Sequence, residues 1–382
     1  MAKSISAHLY FVQRRAQSHI IVSHFQLINL SDVYLATGGE LFLIDESKLV
    51  CLSGLTKALV MVNLKLIILF SIFTTEGVFT TAANVAILAT VFRHRRLRSE
   101  KGYIVLAALA FSDTLMGLGL ALAGPQRIWL TLQNRQMENV TNWDCMMTPY
   151  SWLWVYSLPL SSLMLIGVSV DRLFAVSLPM RYFSWSVTYS YILCSVFYAC
   201  CFVLGSAGVA VAYMQPVRKA YPALCFTDYA LVDQTFRQVF WGTVTWGGAL
   251  SVVLYIPVYL IYLRRQNVQV GGQLGQNLQA NMKRQKRLLV TLAISTFFTF
   301  IFLVFPSLAI SLFASSVPGH FYALVAPISG ALKNFNPVLN FFLYVKRHPD
   351  IRLGFKCLIK CKDMPPEGTV SRVKPKQRNN RK

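Results

Sequence analysis

Acidic side chains are scarce in this chain. Its 382 residues hold 15 Asp and Glu against 37 Lys and Arg, and charged residues of both signs reach only 14% while hydrophobic ones reach 55%. That balance is too apolar for a soluble protein of this length and fits a polytopic membrane protein. Strict alternation of apolar and polar residues is missing, which excludes a membrane β-barrel. The six His and the few embedded acids form no pair at metal-binding spacing and no cluster with a nucleophile, so the pattern does not suit an enzyme such as an intramembrane hydrolase. Internal repeats with matching broken helices, the mark of many secondary transporters, are also lacking.

What the chain does have is seven apolar runs, at about 66–92, 103–124, 147–171, 190–213, 239–263, 288–313 and 321–345. A bilayer core of ~30 Å takes roughly 20 apolar residues of helix. Each run must be helical, because an open backbone in lipid leaves its N–H and C=O groups unpaired. The fold class is therefore an all-α membrane protein, a seven-helix bundle followed by a short membrane-parallel helix. Residues 1–62 read as an outer N-terminal segment, 63–362 as the bundle and 363–382 as a basic tail. The first 65 residues lack the order of a cleavable signal peptide, and the apolar stretch from Leu49 to Phe70 blurs the start of the first span.

Basic residues set the orientation. "RHRRLRSEK" after the first span, "LRR" and "KRQKR" around the fifth loop, and the tail from "KRHPDIR" onward all belong to one side. The positive-inside rule puts that side in the cytoplasm of a plasma-membrane protein and the N-terminus outside. The net charge of +22 is thus mainly a topology signal, with attraction to anionic membrane lipids as a second use. Its division among membrane-flanking loops argues against nucleic acid as a partner.

Asn29 and Asn139 head N-x-Ser/Thr sequons on the outer side. Cys145 and Cys225 lie on that side too, where they form either a disulfide or two unpaired thiols. Cys194, Cys200 and Cys201 read as small packing residues of the fourth span. Cys357 and Cys361, past the seventh span, suit S-palmitoylation or stand as reduced thiols.

The third span ends in two adjacent charges, Asp171 and Arg172, within "DRLFAVSLPMRY". This stretch resembles the DRY-and-second-loop signature of rhodopsin-like G-protein-coupled receptors, with Leu173 in place of the Tyr and Ala175, Val176, Pro179, Arg181 and Tyr182 kept at their spacings. The resemblance implies that Asp171 restrains Arg172 at rest, that Arg172 turns into the bundle to meet a heterotrimeric G protein, and that Met180 packs against that partner. It extends to Asn84 in "TTAANVAIL" and Asp113 in "LAALAFSD", and to Ser161, eleven residues before Arg172. In the family such residues hold a polar network with a sodium ion at the Asp. No other cofactor is implied. In the seventh span, "NFNPVLNFFLY" matches the family best with Asn340 to Tyr344 as its Asn-Pro-x-x-Tyr motif, Phe341 replacing Pro, and Asn336 one turn earlier in the network. That variant is similar to the serpentine receptor class SX of invertebrate chemosensory receptors and to FMRFamide-type peptide receptors.

The sixth span keeps Phe300 and the kinking Pro306, but Val304 stands where relatives have a toggle Trp, which leaves Phe302 or Phe305 to take that part. Lys286 occupies the position of the acid that would hold Arg172 from the sixth helix, so ligand-independent signalling is expected. In the fifth span Pro257 comes late, with Tyr259 or Tyr262 as the inward Tyr. Trp154 occupies the place of the acid that amine receptors need, which disfavours monoamines, and Lys333 falls one residue from the lysine site of an opsin. Trp154, Leu158 and Lys333 are the ligand-pocket candidates, with Lys333 either meeting an acidic ligand or pairing with Glu76. Trp152, Trp154 and Tyr156 form either a ligand wall or part of an interfacial belt. The resemblance thus implies an extracellular small molecule or short peptide as ligand. The alternative is a polytopic transporter without G-protein coupling.

Overall fold

The long apolar runs are helices wherever their residues are described. The computed structural model describes residues 46–215, 221–231, 233–269, 290–291, 293–308 and 319–365. Its main helices are α1 (Glu46–Arg93), α2 (Lys101–Leu132), α3 (Pro149–Ser177), α4 (Thr188–Met214), α5 (Gln234–Gln269), α6 (293–308 and the flanking 290–291), α7 (Gly319–Arg347) and α8 (Pro349–Ile359). Five stretches, within α1 to α5, are long and apolar enough to cross a membrane among the described residues. The result is an all-α bundle built for a membrane.

Several helices outrun their apolar runs. α1 is continuous over 48 residues, so Glu46 to Val62, assigned by sequence to a separate outer segment, is an extension of the first span. At 1.5 Å per residue it reaches ~72 Å, more than twice the hydrocarbon thickness; residues 46–62 hold no proline to stop it. α2 passes through Pro125 and ends only at Leu132, beyond the run that stops at 124. α5 extends beyond its predicted span at both ends.

Small residues let the helices approach. A Cβ on Gly77 of α1 would lie 2.5 Å from the Ala121 nitrogen and 2.7 Å from the Gly117 carbonyl of α2, the close backbone contact that replaces hydrophobic driving force in lipid. α3 is tied to α5 by hydroxyls: Ser162 donates to the Val244 carbonyl and Ser169 to the Ser251 carbonyl, both at 3.0 Å. Tyr198 of α4 donates to Ala108 of α2 at 2.8 Å.

Two clusters form the core, one around Leu109, Met164, Tyr344 and Ile351, the other around Met146, Tyr150, Leu231 and Phe240. They divide the bundle into an Arg172 end and a disulfide end. At the latter, a two-residue ribbon pairs Asn139 with Pro222 and Val140 with Tyr221, and Cys145 is bonded to Cys225. At the former, His348 precedes α8, and His94, the residue after α1, meets the Gly354 carbonyl at 3.1 Å.

Candidate functional site

The Arg172 end is organised around one carboxylate. Asp171 is fully buried and Arg172 is 6% exposed, and the two form an ion pair within a single helix. Tyr182, on the short helix Pro179–Ser184, donates its hydroxyl to the second Asp171 oxygen at 3.1 Å. Burial pushes the Tyr182 phenol well up, so it stays a neutral donor. Lys101, opening α2, clamps this loop by donating to the Tyr182 and Trp185 carbonyls, and its ammonium lies 4.5 Å from the Tyr182 ring centre. Leu173, where the motif has Tyr, packs against the neighbouring core. Nε of Arg172 finds no hydrogen-bond partner among the described residues. Beside the guanidinium is a cavity of about 10 Å³ lined by Gly102, Tyr344 and His348 among others. Met180 stands out from this end with 81% exposure. A buried pair contributes little net stability, because desolvation offsets its Coulomb gain, yet it fixes where each charge sits.

Toward mid-bundle the polar residues fall into separate pairs. Asp113, 2% exposed, accepts from Ser161 at 2.7 Å. Asn84 donates to its own helix at the Thr80 carbonyl. Asn336 and Asn340, one turn apart and both buried, turn their side-chain oxygens to α6, where Thr299 reaches the first at 3.4 Å and Ser295 the second at 2.5 Å. Asp113 and Ser161 are therefore joined directly, whereas the two α7 asparagines bind the sixth helix. Their neighbour Tyr344 is 2% exposed.

α6 corrects two expectations. Phe300 to Val304 is a π-helical turn placed just before Pro306. A proline lacks the N–H and crowds the carbonyl four residues back, and a wider turn relieves both. Phe300, expected as an inward switch residue, is 43% exposed and lines a groove between α5 and α6 with Tyr259; Phe305 is 61% exposed. Phe302 instead meets Phe298 at 5.9 Å and Phe335 of α7 at 6.4 Å, and Val304 is the buried residue of the turn. In α5 the inward tyrosine is Tyr255, 5% exposed and within electrostatic reach of Arg172, while Tyr259 is 48% exposed and Tyr262 half-buried.

The disulfide end holds a cation that the sequence reading passed over. Arg127 of α2, 3% exposed, donates Nε to the Leu224 carbonyl at 2.8 Å and an Nη to the Cys225 carbonyl at 2.9 Å. Its guanidinium lies 4.4 Å from the Phe226 ring centre, 5.1 Å from Trp154, 5.3 Å from Tyr150 and 5.7 Å from Phe70. Trp154 is thus a wall of this cage, seated on Gly119, and the half-buried Leu158 packs on the same cluster. Trp152 and Tyr156 leave that face: they stack on each other, and Tyr156 meets Phe202 and Ser206 of α4. The three aromatics do not make one wall, because residues two apart face different sides of a helix. Lys333 is half-buried on α7, and Glu76 takes a hydrogen bond from the adjacent Asn334. A lone Arg within a few residues of an apolar run was the available signal for Arg127.

Of the modification candidates, Asn139 is exposed at the ribbon, Cys357 is half-buried and Cys361 exposed after α8; among the other thiols, Cys194 and Cys201 are buried and Cys200 exposed. Asn29 and Lys286 lie outside the described residues. No group of three or more His, Cys, Asp and Glu that could hold a metal occurs among the described residues.

No individual curated protein matches the chain. The family model of the 7 transmembrane receptor (rhodopsin family) matches residues 83–344, which takes in Asn84, Asp113, the Asp171–Arg172 pair and Tyr344 and covers more than half of the sequence. The chain belongs to the rhodopsin family of seven-transmembrane receptors.

Proposed function

We propose that this receptor converts binding of an extracellular small molecule or short peptide into activation of a heterotrimeric G protein at the Arg172 end, which faces the cytoplasm of a plasma-membrane protein by the distribution of basic loops. The observation that carries the reading is a fully buried acid paired to the next residue, Arg172, at a helix end flanked by the exposed Met180. In this reading Arg172 has a second position, in the bundle near Tyr255 and Tyr344, and a distant ligand biases the choice between the two. Met180 then supplies an apolar contact for the transducer.

A sodium ion at Asp113 belongs to the same proposal. A buried carboxylate beside a hydroxyl is a hard-oxygen donor set, and an uncompensated charge at that depth is costly. Trp154 in place of an acid leaves no carboxylate at the outer end of α3 to pair with a ligand ammonium, which favours chemosensory molecules or peptides over monoamines. The test is nucleotide exchange on a panel of G proteins in cells expressing wild type and Arg172→Ala at matched surface levels. An exchange signal, basal or ligand-driven, that disappears in the variant is expected; a signal of equal size in both would overturn the reading.

A further inference from the structure

Gly102 stands in the first turn of α2, where glycine is a poorer choice than alanine on local grounds, because it loses more backbone freedom on folding. Its backbone conformation is ordinary helix, so no turn demands it. The neighbour explains it. A Cβ at Gly102 would come 2.6 Å from an Nη atom of Arg172, 3.4 Å from its Cζ and 3.5 Å from the other Nη. The guanidinium that is ion-paired to Asp171 thus lies in the space a side chain at position 102 would fill.

We infer that Gly102 is the seat of the resting Arg172, a positioning residue whose missing side chain sets how firmly the switch is held. A methyl group at 102 acts on the far end of a long flexible side chain, so the guanidinium shifts while the helices stay in place. The adjoining cavity of about 10 Å³ has room for one water and not for a displaced guanidinium. Lys101, fixed on the Tyr182 and Trp185 carbonyls, keeps the first turn of α2 from moving aside. Asp171 is meanwhile held by Tyr182 and does not follow. Displacement therefore separates the pair and raises the share of molecules with Arg172 released into the bundle.

This rests on the receptor reading above, and one of its two tests does not. In the first, Gly102→Ala and the bulkier Gly102→Val, at matched surface levels, should raise Arg172-dependent basal exchange by about three- to tenfold, since each 1.4 kcal/mol of bias is a tenfold change in population. Adding Arg172→Ala should abolish the rise. In the second, thermal unfolding of the purified receptor closes a double-mutant cycle. Gly102→Ala should raise the melting temperature when Arg172 is already alanine, as helix propensity dictates, and should lower it or leave it unchanged when Arg172 is present. Equal shifts in both backgrounds would overturn the seat. A non-additive cycle together with no exchange signal from wild type, Asp171→Asn or any Gly102 variant would keep the seat and sink its link to signalling, along with the receptor reading.

Discussion

Among the described residues, the bundle buries one guanidinium near each end and treats the two differently. Arg127 is held by three elements: backbone carbonyls of the loop that carries Cys225, rings from α1 and α3, and Phe226 beside them. A disulfide fixes that loop to Cys145, on the short helix Asn142–Met146 that leads into α3. Arg172 is held by the residue before it and, through that residue, by one tyrosine hydroxyl. Releasing Arg127 means dismantling a loop; releasing Arg172 means turning one side chain. The contrast assigns a fixed cap to one end and a movable element to the other, and substitutions can test it.

The largest loss should follow Cys145→Ser or Cys225→Ser. A bridge closing 80 residues of chain is worth about 2–5 kcal/mol, so surface labelling should show most of the receptor retained inside the cell. Arg127→Ala comes next: two buried carbonyls lose their donor, at about 1–3 kcal/mol each, and thermal unfolding should fall accordingly. Arg127→Lys should recover only part, because an ammonium cannot span both carbonyls and four rings. If Arg127→Ala unfolds like wild type, the cap is not where the rigidity lies.

Substitutions at the other end should change signalling more than stability. Asp171→Asn keeps an acceptor for Tyr182 and removes the counter-charge, which leaves Arg172 to turn into the bundle; increased basal exchange is expected, with a smaller fall in melting temperature than for Arg127→Ala. A large drop in melting temperature without any rise in exchange would place Arg172 with Arg127 as a structural charge. Tyr182→Phe should be smallest, about 0.5–1.5 kcal/mol for one hydrogen bond, with a slight rise in basal exchange that a dose series of ligand or a sensitive nucleotide assay can resolve.

Much of this was readable from residue order. The apolar runs and the adjacent charge pair stand in the residue order itself, while Asp113, Ser161 and Tyr344 were placed by the resemblance of their motifs to the receptor family. What escaped depends on contacts between helices or on punctuation that the fold overrides. The second apolar run stops at 124, but α2 continues through Pro125, which carries Arg127 into the bundle. Tyr255 was passed over because Pro257 was taken as the reference, and the inward face of α5 is set by its packing on α3. Gly102 has no signal at all in one dimension, since the reason for it lies 70 residues away.

The turn before Pro306 leaves a mark on numbering. Buried positions along α6 run Thr291, Ser295, Thr299 and then Val304: steps of four, four and five. The extra residue shifts the phase of everything beyond it by about 100°. The halves of this helix therefore answer to two different rulers: a one-residue deletion between Phe300 and Leu303 would restore a step of four and keep Val304 in phase with Thr299, whereas forcing the undeleted sequence into a plain α-turn would bring Leu303 to the buried face and rotate Val304 out of the core.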